Sequence, residues 1–352
     1  MKSTNKSLFL CAARAEKTPR PPVWLMRQAG RCDPMYRDFR ESDPRPLEEL
    51  FRDPDAAAHI SLLPVRWGVD AVIIFQDILT PLSGMGAPFV FRPGPQPETP
   101  LTNTQDFERL HRFDMADGLP FLARLYELLR GPVTDAGLPL LGFAGAPFTL
   151  FAFLAENGSP PFDLPNTRAL MREYPVWTRT MLDLLADMTT DYLAFQIGCG
   201  ANAVQLFESA AHCLTLEEYS AWALPGQQRV FAGIRNTGVP TILFARRDDA
   251  LLAPATLHAA GASILSLPAA YSIATVRAEI GEPVPIQGNL DNHLLAAGPP
   301  EAIIAAAQHC IEEGACHGHI FNLGHGVLPD TPFEHVTLLI DAIRSFENTN
   351  VE

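Results

Sequence analysis

The sequence predicts an α/β fold, a single-domain (β/α)8 TIM barrel whose deep cleft lies at the C-terminal ends of eight parallel strands. Three observations predict it. Eight short apolar runs recur along the 352 residues, each succeeded by a turn and a helix-like stretch. Their apolarity is continuous rather than alternating, as in strands buried on both faces. No GxGxxG fingerprint comes after the first run, which argues against a doubly wound open sheet.

In chain order the runs are VWLM (23–26), DAVIIF (70–75), PLLGFA (139–144), AVQLFE (203–208), TILFA (241–245), ASILSL (262–267), VPIQGN (284–289) and HIFNLG (319–324). Amphipathic segments lie between them. RALMREYPVWTRTMLDLLADMTTDYLAFQIG reads as helix ending at Gly198 or Gly200, and PEAIIAAAQHCIEEG as helix ending at Gly314. Two proline-rich stretches, PFVFRPGPQPETP (88–100) and ENGSPPFDLPNT (156–167), sit just beyond strand ends and read as excursions over the mouth of the barrel. No repeat or linker divides the chain, so residues 1–352 are expected to form one domain.

Composition excludes several classes. Hydrophobic residues make up 47% and charged residues 19%, an ordinary globular mix. The net charge of −14 disfavours nucleic-acid binding. The apolar run LFLCAA near the start is short for a signal peptide, and no segment approaches the roughly 20 apolar residues of a membrane span. A cytoplasmic protein with reduced thiols is expected, since the six cysteines contain no CxxC pair.

Charge is unevenly placed. Residues 1–52 hold 11 of the 26 Lys and Arg but 7 of the 40 acidic side chains, and Arg27, Arg31, Arg37 and Arg40 crowd into PVWLMRQAGRCDPMYRDFRE. Such a run is either a solvated helix face or a polyanion site. The strand-end rule favours a site, because barrel chemistry gathers on that rim. VWLM runs into Arg27, Gln28 and Arg31, DAVIIF into Gln76 and Asp77, AVQLFE into Ser209, and HIFNLG into His325. Each has a plain alternative. Asp77 could cap a turn, Ser209 could be a cap without any GxSxG around it, and His325 could be packed between its glycines. Together they describe a pocket of guanidinium groups, a carboxylate, a hydroxyl and an imidazole. Arginine forks without a Walker loop point to a ligand with several carboxylates. HCIEEGACHGH (309–319) lacks a familiar metal-ligand spacing, so no metal is expected.

The motifs PVWLMRQAGR (22–31), FQDIL (75–79), GFAGAPFTL (142–150), QLFES (205–209), IQGNLD (286–291) and FNLGHGVLPDTPFEHV (321–336) resemble those of the uroporphyrinogen decarboxylase family, in its order and over almost the whole chain. The resemblance implies a cofactor-independent, metal-free barrel that forms a homodimer with facing clefts. It implies removal of carbon dioxide from the four acetate arms of uroporphyrinogen III, giving coproporphyrinogen III in haem and tetrapyrrole biosynthesis. Carried onto this chain, Arg27 and Asp77 are the implied catalytic residues. Gln28, Ala29, Gly30, Arg31, Arg40, Phe153, Ser209 and His325 join them in binding substrate, with Asp77 facing the pyrrole NH groups.

Three departures stand out. Cys32-Asp33-Pro34 replaces Tyr-Leu-Pro after RQAGR, Phe153 replaces a tyrosine, and LPAAYSI (267–273) replaces a segment carrying Asp-Trp. Asp33 would weaken an anion clamp unless it faces away. The departures leave room for a paralogue that binds or modifies a related tetrapyrrole, or for a relative of the corrinoid methyltransferases. The latter use a His-x-Cys pair, which this sequence lacks.

Overall fold

The computed structural model of the chain describes residues 7–92, 94–247 and 252–346. Its strands are β1 (Val72–Ile73), a hairpin of β2 (Phe89–Phe91) and β3 (Pro95–Pro97), then β4 (Leu140–Gly145), β5 (Ala203–Glu208), β6 (Thr241–Ala245), β7 (Ile264–Ser266), β8 (Ile286–Gln287) and β9 (His319–Ile320). All but the hairpin pair in parallel in one curled seven-stranded sheet, ordered β1-β4-β5-β6-β7-β8-β9. Seven of the eight apolar runs are therefore strands of that sheet. Helices Pro120–Asp135, Pro175–Cys199, Leu224–Ile234, Ile273–Ile280, Pro300–Gly314 and Phe333–Arg344 alternate with them. β4 and β6 are buried along their whole length, as helix-covered parallel strands must be.

The eighth run corrects the expectation of eight regular strands. Residues 23–26 lie between β9 and β1, yet they make a single parallel bridge, Val23 to Phe321. The physical reason is that side chains take the donors a ladder would use. Val23 N–H goes to Asp70 Oδ2 (2.8 Å), Leu25 N–H to Gln28 Oε1 (3.1 Å) and Met26 N–H to Asn322 Oδ1 (3.0 Å). Trp24 N–H alone reaches a neighbouring main chain, at Phe321 O (3.3 Å). The alternation of a strand survives. Val23 and Leu25 pack in the outer cluster with Leu339 and Ile340, while Trp24 and Met26 join the main core. Inside the barrel the Trp24 indole donates to Gln287 Oε1 (3.0 Å), and Gln287 Nε2 donates to Gln205 Oε1 and Ser266 Oγ (both 3.0 Å).

A second side chain also stands in for a strand. The Gln196 amide accepts from Phe143 N–H (3.0 Å) and donates to Phe143 O (2.8 Å). Gly142 makes room for it, since a Cβ there would meet Gln196 Oε1 at 2.5 Å. The long helical run predicted from 168 is two helices, Pro165–Glu173 and Pro175–Cys199, broken where Pro175 disfavours helix at Tyr174. It stops at Gly200, whose φ of 121° is open to glycine. The helix over 300–314 ends at Gly314, in agreement with the sequence.

Gln28→Leu is expected to destabilise the protein by about 2–4 kcal/mol, because Leu25 N–H and Ala71 O both lose a buried partner. A lowered urea midpoint at unchanged slope would show it; a wild-type midpoint would contradict it.

Candidate active site

One cavity of about 630 Å³ opens at the C-terminal ends of the strands, a size suited to a small-molecule ligand. Arg27, Ala29, Gly30, Arg31, Asp77, Phe153, Ser209 and His325 all line it, as do Phe91 and Pro95 of the hairpin and Ser159 and Pro160 of the second proline-rich excursion. Phe143, Phe207, Phe244 and Tyr36 supply apolar wall. Two of the residues singled out from sequence are not among its lining. The Gln28 side chain is fully buried and spans Leu25 N–H and Ala71 O (both 3.1 Å), a structural job. Arg40 lies in the last turn of the helix Pro34–Ser42, and its Nη1 donates to Asp43 O (3.1 Å).

Arg27 comes directly after the clamped segment. Its φ of 63° places it in the left-handed region, uncommon for a side-chain-bearing residue and found where surrounding structure enforces it. Here Met26 is held on both sides, its N–H by Asn322 and its carbonyl by Val327 N–H (2.9 Å). Gly326 then lets the arm pass, since a Cβ there would sit 2.5 Å from Arg27 Cδ and 2.7 Å from Cγ. Arg27 lines the cavity and is exposed there. Desolvation by the surrounding protein lowers its pKa, Arg246 and Arg31 lower it further by like charge, and Asp77 acts in the opposite sense.

The loop after Arg27 is braced by Arg37, whose Nη1 donates to Arg31 O (2.9 Å) and Cys32 O (3.2 Å). Asp33 is fully buried. It caps the helix Pro34–Ser42 through Met35 N–H (2.9 Å) and pairs with Arg66. Its charge is thus turned away from the cavity and balanced by a cation. Burial, then Asp33, pushes the Cys32 thiol up to about 11, so it stays protonated at neutral pH.

Asp77 both caps a turn and faces the cavity. Its Oδ1 accepts from Leu79 N–H (2.7 Å), and its carboxylate also lines the hollow. Burial pushes its pKa up to about 6, opposed by the Leu79 hydrogen bond and the Arg27 charge. Near neutral pH it is ionised but close to its titration point. Such a carboxylate answers strongly to any positive charge brought beside it.

Ser209 stands just past β5, anchored from behind. Glu208 is fully buried, accepts from Thr149 Oγ1 and Gln227 Nε2 (3.0 Å), and has its pKa pushed up to about 7 by burial. His212 Nδ1 bonds Ser209 O (3.0 Å). The His325 ring stands edge-on to Phe244, with centroids 5.8 Å apart. Phe153 lies edge-on to Phe89 at 6.5 Å. Arg246 was missed from sequence, although the strand-end rule finds it as the first polar residue after TILFA. The His- and Cys-rich stretch does not converge. His319 is buried, with Nε2 bonded to Gly288 O (2.7 Å) and its pKa lowered to about 4 by burial. Among the described residues no three His, Cys, Asp or Glu side chains gather as metal ligands, and no helix is long and apolar enough to cross a membrane.

Comparison with known proteins bears on the fold and the family. The solved structure of a methyltransferase from Methanosarcina mazei shares the fold, with a TM-score of 0.80 over 97% of this chain and 98% of that one, at 18% identity. Among curated proteins, uroporphyrinogen decarboxylase of Thermus thermophilus is 39% identical over 342 residues, covering 96% of this chain and 97% of its own. The enzyme of the same name from Thermosynechococcus vestitus is 39% identical over 343 residues, covering 96% and 98%. The family model described as uroporphyrinogen decarboxylase matches residues 4–346. This chain is a member of the uroporphyrinogen decarboxylase family.

Proposed function

We propose that this protein is a lyase that removes carbon dioxide from the acetate arms of uroporphyrinogen, giving coproporphyrinogen, in haem and tetrapyrrole biosynthesis. The observation that carries the reading is the meeting of Arg27, Arg31 and Asp77 on one aromatic-walled cavity. The substrate is an octacarboxylate, which accounts for guanidinium groups gathered on an acidic protein. Arg27 and Arg31 hold carboxylate arms through planar forks, the main chain of Ala29 and Gly30 shapes the loop between them, and Ser209 and His325 offer polar groups farther round the rim. Phe153 contributes apolar wall.

Loss of carbon dioxide from an acetate needs somewhere for the bonding electrons to go. Protonating a carbon of the attached pyrrole makes the ring cationic and supplies that sink. The C–CO₂ bond then breaks, its electrons form an exocyclic double bond, and protonation of that carbon with loss of the ring proton leaves a methyl group. Each cycle consumes one proton and releases one carbon dioxide. Ionised Asp77, facing the pyrrole NH groups, stabilises the cationic ring. At about 4 Å and an effective dielectric near 20 the attraction is roughly 4 kcal/mol, on the order of a thousandfold in rate. Neither a redox centre nor a Schiff-base lysine enters this chemistry, and the proposal includes no metal or cofactor.

The same reading makes residues 1–352 one barrel domain, places the protein in the cytoplasm and pairs it as a homodimer. The exposed Phe162, Tyr174 and Val176 support the pairing as apolar surface for a second copy to cover. Light scattering of the purified protein tests it.

Anaerobic incubation with uroporphyrinogen, with products resolved by carboxyl number, is the direct assay. Stepwise loss from eight carboxyls to four supports the proposal, and tight binding without release of carbon dioxide would instead make the protein a tetrapyrrole-binding paralogue. Asp77→Asn is expected to lower turnover at least a thousandfold in a folded protein, while in the wild type kcat/KM falls with unit slope below about pH 6 as Asp77 takes up its proton. Because the folded state raises this pKa above 3.8, the contribution of Asp77 to stability declines as pH rises from 3.8 to about 6. The Asn variant lacks that contribution, which the difference between wild-type and variant thermal melts across pH would show. Gly326→Ala is expected to raise KM at least tenfold by displacing Arg27; an unchanged KM would mean that the arm finds another path.

A further inference from the structure

We infer that Arg246 is a third carboxylate anchor, set across the cavity from Arg27, and that it makes the site select acids whose arms lie on opposite edges of a flat molecule. The inference rests on the decarboxylase reading of the same site. Topology supplies the placement. β6 is the middle strand of the seven, three steps from β1 and three from β9. The seam that carries Arg27 lies between β9 and β1, so the end of β6 is opposite it around the barrel. Arg246 is the first residue past β6, and it lines the cavity.

The backbone there is fixed, because Arg246 N–H donates to Glu208 O (3.1 Å) and continues the ladder between β5 and β6. The next residue differs in placement. Arg247 is buried, and its Nη1 donates to Ala211 O (2.6 Å) and Leu214 O (2.8 Å). It thereby pins the loop that brings Ser209, Ala210 and His212 to the cavity. Arg247 holds that loop, and Arg246 lines the ligand space.

Charge supports the same conclusion. After burial, Arg246 is the strongest influence depressing the Arg27 pKa, ahead of Arg31. Like charges aimed at one hollow repel each other and are relieved when anionic groups come between them. A macrocycle with acidic arms all round its rim reaches both sides at once. An acid with its carboxylates on one edge reaches one side only.

The test compares binding of two oxidised, fluorescent porphyrins, coproporphyrin with four carboxylates spread around the ring and protoporphyrin with two on one edge, together with anaerobic turnover of uroporphyrinogen. Wild-type protein is expected to bind the four-armed probe at least tenfold more tightly than the one-edged probe. R246Q is expected to bring that ratio within threefold, and to raise KM for uroporphyrinogen at least tenfold with kcat within threefold. R246K, which keeps the charge but loses the fork, should fall between them. Equal affinity of wild type for the two probes would overturn the inference even if R246Q does not fold. So would a folded R246Q that keeps the wild-type ratio and KM. If uroporphyrinogen is not turned over by wild type, the decarboxylase reading fails, and the porphyrin ratio still decides the role of Arg246.

Discussion

Between β9 and β1 the main chain of residues 23–26 hands three of its donors to the side chains of Asp70, Gln28 and Asn322, and the position of Arg27 depends on that arrangement. A regular strand would have continued its register past Met26. The side-chain clamp instead lets the chain turn at once into the left-handed conformation of Arg27, with Asn322 and Val327 gripping the residue before it. Each buried donor left without an acceptor would cost about 1–3 kcal/mol, so the seam is specified by several polar side chains at once. Asp70 is held in turn by Arg20 through two bonds of 2.6 and 2.9 Å. All four main-chain donors of residues 23–26 are therefore satisfied without a regular ladder, and the cationic loop follows directly from that segment.

The electrostatics of the cavity are poised for a ligand. Burial pushes Asp77 up to about 6, and burial with like charges depresses Arg27, so both groups are charged at a cost near neutral pH. A polycarboxylate with a cationic centre developing in its ring answers both. In the proposed binding mode its arms meet the arginines and its ring nitrogens meet the carboxylate. Asp33 illustrates how the protein keeps an unwanted charge from this balance, burying it as a helix cap against Arg66. The stability given up at the site is recovered in the surrounding core, where β4, β6 and the helices over them bury their apolar faces.

Much of this was legible in the sequence. Continuous apolar runs marked the seven paired strands, because burial on both faces leaves no polar alternation to confuse them. Arg27, Arg31, Asp77, Ser209 and His325 were legible as the polar residues lying just past strand ends. The eighth run was misread as a regular strand because its hydrogen bonds go to side chains from residues 28, 70 and 322, and only the first of these is local. Gln28 was misplaced for the same reason: a glutamine between two arginines reads as part of a clamp until its amide is seen spanning two main chains. Arg40 lay a helix away from the arginines it was grouped with, and its partner is the carbonyl of Asp43. Arg246 met the strand-end rule but stood beside Arg247, and sequence does not tell which of two adjacent arginines turns inward.

The proposed function has Arg27, launched from the clamped seam, and ionised Asp77 hold one macrocycle between them. A crystal structure of the protein with coproporphyrinogen bound under anaerobic conditions would test that geometry without intermediate steps. An Asp77 carboxylate oxygen is expected within hydrogen-bonding distance of the pyrrole nitrogens, with carboxylate arms against Arg27 and Arg31. A macrocycle bound elsewhere, or one whose nitrogens face away from Asp77, would contradict it.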